Sequence, residues 1–315
     1  MLTVRTLTST GALKVGDETQ LGAPGVTWVD LEQPDAAVLG RLKERYGLHP
    51  LAVEDCLTLD QRPKLEAYAG HQFLVLQGFE CPNHDLLHLE LRELHAFIGP
   101  DWILTVHDGP QPAIAEVVKR LEADPANTLG RGPDFLAYLL ADAMVDSHFP
   151  LLDRYSDEIE SLEERIFERP KPALMQRAFA LKRALVQLRR VLSPQRDVLG
   201  LLSRSGVAQV SEKTSVYFRD VYDHLMRLSE QIDSARDLLG NAMEAWLSVV
   251  ANKTNDITKQ LTLFASIFMP LSFVVGFFGQ NFEGLAAPWL FWPTLGVLVA
   301  LPVGMVGWFR YRRWL

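Results

Sequence analysis

The sequence predicts an α+β membrane protein: an N-terminal α/β cytosolic domain, long stalk helices, and two transmembrane helices toward its C-terminal end. Three observations carry this prediction. Strand-like and helix-like segments intermix over the first ~125 residues. From about Asp134 the pattern turns helical and stays so. Near residue 260 charge vanishes from the sequence in two long runs. The average composition, 48% hydrophobic and 22% charged, is that of a folded chain, so these shifts along the sequence are informative where the averages are not.

In the first region, taken as residues 1–130, TWVDL at 27–31, HQFLVLQGF at 71–79, LHLELRELHAFI at 87–98 and WILTVH at 102–107 read as strands by β-branched content or alternation. Helical stretches at Pro34–Tyr46 and Pro50–Leu57 separate the first two strands, and a third at Pro112–Ala123 follows the last. The expected sheet is mixed. Residues 131–258 read as long stalk helices, with Pro170 and Pro172 in ERPKPAL marking a turn between two of them. Asp153, Asp157, Glu158, Glu160, Glu163, Glu164 and Glu168 precede that turn, whereas Arg177, Lys182, Arg183, Arg189, Arg190 and Arg196 follow it. An acidic helix is thus expected to fold back on a basic one, each exposed pair stabilising by tenths of a kcal/mol.

No proline occurs between Gly206 and Pro270, so one helix is expected from about Ser211 to Gly279, with Gly240 a point of bending or weakness. At ~1.5 Å per residue it would be roughly 100 Å long. Its last part, LTLFASIFMPLSFVVGFFG from Leu261 to Gly279, has no charged residue, and Trp289–Phe309 repeats that behaviour; each is about the length that crosses a ~30 Å hydrocarbon core. The first span is placed at 259–280, an outer loop at 281–288, the second span at 289–310 and a basic tail at 311–315. Lys253 and Lys259 before the hairpin and Arg310, Arg312 and Arg313 after it put both termini in the cytosol by the positive-inside rule. Trp289, Trp292, Trp308 and Trp314 suit an aromatic belt.

Several function classes recede on composition. A net charge of −8 argues against a nucleic-acid partner, which needs a basic footprint, and favours cations. Cys56 and Cys81 form no CxxC pair, and the N-terminus lacks the basic start and apolar run of a secretory signal. There is no GxSxG elbow, GxxxxGK[ST] loop or HExxH motif, so an enzyme is not expected.

A period of about 3.5 residues from Asn255 selects Asn255, Thr258, Thr262, Ala265, Met269, Ser272, Gly276 and Gly279, small or polar except for Met269. Such a stripe suits close helix packing or a water-filled axis rather than lipid. One hairpin cannot enclose a pore, so conduction would require several copies around an axis. Neutral oxygen donors suit a hard cation that keeps its water, as Mg2+ does, and Gln280 and Asn281 would add amide oxygens at the outer mouth.

IFMPLSFVVGFFGQNF at 267–282 resembles the signature of the CorA magnesium transporters, whose first transmembrane helix ends in Gly-Met-Asn. HPLAVEDCL and QRPKLE within 49–66, LADAMVDSHF at 140–149, ERPKPALMQRAFALKRAL at 168–185, YFRDVYDHL at 217–225 and NKTNDI at 252–257 extend the resemblance over nearly the whole chain. It implies a funnel-shaped homopentamer in a cell membrane, with an α/β/α cytosolic domain and a pore lined by the first span. Gly279, Gln280 and Asn281 would be the mouth, Asn255 the polar ring at the cytosolic end, and Met269 with Leu261, rather than Thr262, the hydrophobic constriction. It further implies regulatory metal: Asp55 and Asp220 sharing a divalent ion between subunits, with Glu54, Asp142 and His224 around a second. Gln280 departs from the family's usual Met, and the following FEGLAAP lacks its Met-Pro-Glu. Mg2+ is therefore the expected cargo and regulator, with Co2+, Ni2+ or Zn2+ as alternatives. Two further readings stand beside this one. Cys81, His84 and His88 form a C-x2-H-x3-H run open to a soft metal, and a non-conducting scaffold would also use the membrane hairpin.

Overall fold

The computed structural model describes residues 1–58, 60–82, 85–279, 288–312 and 314. The chain divides into two compact units, Met1–Met243 and Glu244–Leu315.

In the first unit, β1 (Leu2–Leu7), β2 (Leu13–Gly16), β3 (Val26–Glu32), β4 (Lys64–Tyr68), β5 (His71–Glu80), β6 (Glu90–Ile98) and β7 (Trp102–His107) form one sheet among the described residues, in the order β2-β1-β3-β7-β6-β5-β4. The β3–β7 pair is parallel and the others antiparallel, so the sheet is mixed as expected. β5 is buried along nearly its whole length because both faces of the sheet are covered, so Phe73–Leu76 is an unbroken apolar stretch rather than an alternating one. Phe73 and Val75 join Val29, Leu31 and Val106 beneath α1 (Ala36–Tyr46) and α2 (Pro50–Thr58). On the opposite face lie α3 (Pro112–Ala123) and α4 (Pro133–Asp146), the latter packed on β3, β5, β6 and β7. Met144 of α4 fills the space where a side chain on Gly78 would stand.

Local chemistry sets the ends of these elements. The carboxylate of Asp35 accepts the Val38 N–H at 2.9 Å, so α1 starts after Pro34 rather than on it, and Gly47 ends it at φ 65°, a conformation costly to any other residue. Asp85 accepts the Leu87 N–H at 3.0 Å in a turn, so β6 begins at Glu90 and not at Leu87. In the Cys81–His84–His88 run, His84 lies outside the described residues, while His88 is bound to Asp85 at 2.6 Å and points into solvent.

The stalk comprises α5 (Phe149–Glu168), α6 (Pro172–Leu202) and α7 (Glu212–Phe278), the last passing through Gly240 without interruption and continuing into the second unit. α5 does fold back on α6, but charge is not what holds it there. Among the described residues the ion pair that crosses is Glu158–Arg177 at 2.9 Å, whereas Tyr155, Ile159, Leu162 and Ile166 are buried on one helix and Leu174, Ala178, Leu181 and Leu185 on the other. Arg189 turns instead to Asp233 of α7.

His148, between α4 and α5, is fully enclosed, and its ring meets Phe79 edge-on. Burial lowers its pKa from 6.5 to about 4, with the backbone of Gln77 offsetting a small part. The folded state then binds fewer protons than the unfolded one, so stability is complete above the unfolded pKa and falls as pH drops toward the folded value. Between about pH 7.5 and about pH 5 this group should cost about 2 kcal/mol. Thermal unfolding of the full-length protein at both pH values, beside His148→Leu, should show the variant losing less on acidification.

The second unit holds the remainder of α7 and α8 (Phe291–Tyr311), two helices long and apolar enough to cross a membrane and almost bare of covering atoms. A third apolar run of similar character, over Pro133–Glu168, is mostly buried in the first unit because α4 is the roof of its core. Trp289, Trp292, Trp308 and Trp314 are all exposed, as a membrane-interface belt requires.

Candidate cation sites

α4 presents Asp142 and Asp146 one turn apart on the same face, and the first part of α7 presents Asp220 and His224 in the same i, i+4 relation. The two faces meet. One donor atom from each of Asp142, Asp146 and His224 lies within 4.8 Å of the others. His224 Nδ1 is 3.2 Å from Asp146 Oδ1, and its Nε2 is 3.8 Å from Asp220 Oδ2. Burial raises the pKa of Asp142, the negative charge of Asp146 raises it further, and Arg120 and His224 only partly compensate. The Tyr138 hydroxyl is pushed up to about 12 by burial and by Asp142 and Asp220. The cluster is therefore short of positive charge. Two carboxylates and an imidazole fit a partly hydrated divalent ion: the oxygens suit Mg2+, and the imidazole favours Co2+ or Ni2+ more than it does Mg2+.

Of the five regulatory residues expected from the resemblance, the fold brings together Asp142, Asp220 and His224. Glu54 and Asp55 sit on α2, and among the described residues no hydrogen bond or ion pair joins them to that cluster. Asp55 instead holds Lys64. Asp146 was missed by the sequence reading, although its four-residue spacing from Asp142 in LADAMVDSHF was available as a signal.

From Leu261 onward the shaded positions of α7 are Leu263, Ser266, Ile267, Pro270, Leu271 and Val274, a single helical face. Asn255, Thr258, Leu261, Thr262, Ala265, Met269, Ser272, Gly276 and Gly279 are all exposed, and the 100° advance per residue puts them on the side away from that face, except Asn255, which falls at its edge. Among the described residues nothing covers this stripe. The Thr262 hydroxyl donates to its own helix, to the Thr258 carbonyl at 2.8 Å, which leaves its oxygen lone pairs facing outward. Leu261 and Thr262 are both exposed, so a single chain does not choose between them as the partner of Met269. Gln280 and Asn281 lie outside the described residues.

Two nearly uncovered helices of bilayer length, continuous in sequence with a three-layer α/β unit, define a helical membrane protein with a folded domain. Residues 24–313 match the family described as CorA-like Mg2+ transporter protein. The chain is 36% identical over 293 residues to the cobalt/magnesium transport protein CorA of Thermotoga maritima, covering 92% of this chain and 83% of that one. It is 35% identical over 292 residues to the putative metal ion transporter YfjQ of Bacillus subtilis, covering 91% and 89%. The complete structure of the CorA magnesium transporter from Methanocaldococcus jannaschii superposes with a TM-score of 0.88 at 23% identity, over 100% of this chain and 99% of the other. The chain belongs to the CorA family of Mg2+ transporters.

Proposed function

We propose that this chain is one subunit of a homopentameric channel that admits Mg2+ into the cytosol down its electrochemical gradient and is held closed by intracellular divalent ions. The observation that carries the reading is the small and polar stripe of α7, uncovered and opposite the helix's shaded face. A polar stripe on a membrane helix faces an axis or a tight neighbour, and five copies around an axis turn it into a conduit. Both termini lie in the cytosol in this reading. A doubly charged ion entering down an inward-negative potential gains about 4.6 kcal/mol per 100 mV, so no energy-coupling site is required. Gly279, Gln280 and Asn281 form the mouth, Met269 and Leu261 the constriction, and Asn255 the inner ring.

The carboxylates act as the closing latch. Asp142, Asp146 and His224 hold one ion within a subunit, Asp220 lies beside them, and Glu54 and Asp55 reach a neighbouring subunit's share of the interface. Carboxylates facing one another repel unless a cation bridges them, so rising intracellular metal stabilises the closed arrangement. Co2+ is a second cargo, supported by the name of the Thermotoga relative and by the imidazole of His224. Zinc is not favoured.

Uptake into proteoliposomes, with Mg2+, Co2+, Ni2+ and Zn2+ in parallel, tests this. Wild type should take up Mg2+, and Asn281→Ala should assemble normally yet lose most uptake. Intact oligomers that pass no ion would favour a scaffold, and Zn2+ entry without Mg2+ would move the protein to a different cargo.

A further inference from the structure

Two basic side chains already pair with two of the carboxylates that the regulatory reading assigns to metal. Lys64 Nζ on β4 is 2.7 Å from Asp55 Oδ2 on α2 and 3.2 Å from Glu66 Oε1. Arg120 on α3 places Nη1 3.6 Å from Asp142 Oδ2 on α4 and Nε 3.2 Å from Glu116 Oε1. The same pattern thus arises on two unrelated pairs of elements. In each, one cation is shared between an inner carboxylate and an outer one: Asp55 and Asp142 are 21% and 12% exposed, Glu66 and Glu116 37% and 48%.

The asymmetry has a physical consequence. An inner carboxylate with no positive partner is costly, because water cannot fully solvate it, whereas an outer one tolerates losing its partner. A divalent ion arriving at Asp55 or Asp142 would meet a side-chain cation already paired with the same carboxylate, and two positive centres a few ångströms apart repel. One must leave. The basic side chain can do so without becoming unpaired, since Glu66 or Glu116 is already within reach. Lys64 keeps its charge despite partial burial, because its hydrogen bonds to Asp55 and Glu66 outweigh the cost of desolvation.

We infer that Lys64 and Arg120 are resident counter-ions: they neutralise Asp55 and Asp142 when divalent metal is scarce, are displaced onto Glu66 and Glu116 when metal binds, and so set the concentration at which it does. This rests on the regulatory reading above. Metal affinity at each site is the intrinsic affinity reduced by the cost of moving the resident.

The test uses full-length protein in detergent, with melting temperature and protease resistance followed as Mg2+ is raised. Lys64→Gln and Arg120→Gln should each lower the Mg2+ midpoint roughly threefold to tenfold, while Lys64→Arg and Arg120→Lys stay within about twofold of wild type. Without Mg2+ the glutamine variants should melt below wild type, and saturating Mg2+ should close that gap. A merely structural ion pair would leave the gap open at saturation. Midpoints that are unchanged or raised in the glutamine variants, with a saturable wild-type response, overturn the counter-ion role alone. Absence of any saturable Mg2+ response in wild type overturns the regulatory reading and the inference with it.

Discussion

Replacing Gly276 by leucine should reduce Mg2+ uptake at least roughly tenfold without harming the folded chain, since a tenfold loss needs only about 1.4 kcal/mol of added barrier. A Cβ built on Gly276 meets no atom within 4 Å among the described residues, and glycine to leucine raises helix propensity, so the subunit itself has no reason to suffer. Loss of transport must then come from other copies. If α7 lines an axis, each subunit adds an isobutyl group to it, and a Mg2+ ion that surrenders its water reluctantly meets a narrower, drier passage. Gly304 on α8 is the matched control, equally open within the chain, and Gly304→Leu should leave uptake within about twofold. The oligomeric state decides the remaining alternative. If Gly276→Leu dissociates the oligomer, the stripe is a packing surface; if both leucine variants block equally, α7 has no special claim to the axis.

Trp28→Ala should cost about 3–5 kcal/mol of stability, near the upper end. Trp28 is fully buried on β3, and its Nε1 donates to Thr105 Oγ1 at 2.9 Å, which donates in turn to Asp30 Oδ1 at 2.5 Å. The Arg5 guanidinium lies 4.9 Å from the indole centroid, and its Nε and Nη1 have no hydrogen-bond partner. Removing the indole therefore opens a cavity and takes from a half-buried cation the ring face that holds it. Trp28→Phe keeps most of the volume and the ring face and should cost about half as much. Thermal unfolding of the full-length protein checks both; an alanine variant that melts with wild type would mean that β3 is not packed as described.

The parts of the fold legible in the sequence were those where burial imposes a period or a cap supplies a sign. β3, β5, β6 and β7 are central strands with buried side chains, and α1 to α3 begin at Asp or Pro. The strands not foreseen, β1, β2 and β4, lie at or beside the sheet's edges. Edge strands are short and keep polar side chains on view, as LKVG and KLEAY do, so their alternation is diluted by residues that face water. The site divides in a similar way. Asp142, Asp220 and His224 were reached through the resemblance, but their meeting with Asp146 depends on how α4 lies against α7, which no local pattern encodes. The basic partners Lys64 and Arg120 were invisible for the same reason: each sits on a different element from the inner acid it neutralises. In the stalk, opposite charges suggested that ion pairs bind α5 to α6, while Leu162, Ile166, Leu181 and Leu185 do most of that work out of sight.

The apolar run over Pro133–Glu168 bears on how the chain is made. Counted by composition it is a third candidate crossing, and three crossings would place the two ends of a chain on opposite sides of a bilayer; withdrawn into the core beneath the sheet, it leaves two candidates, α7 and α8. The order of synthesis favours the second outcome. All seven strands precede Pro133, so the surface that hides α4 is complete before α4 emerges from the ribosome, and α7 and α8 follow with no such surface to receive them. Moving α4 ahead of β1 by circular permutation would remove that protection and offer the insertion machinery a segment it should never see.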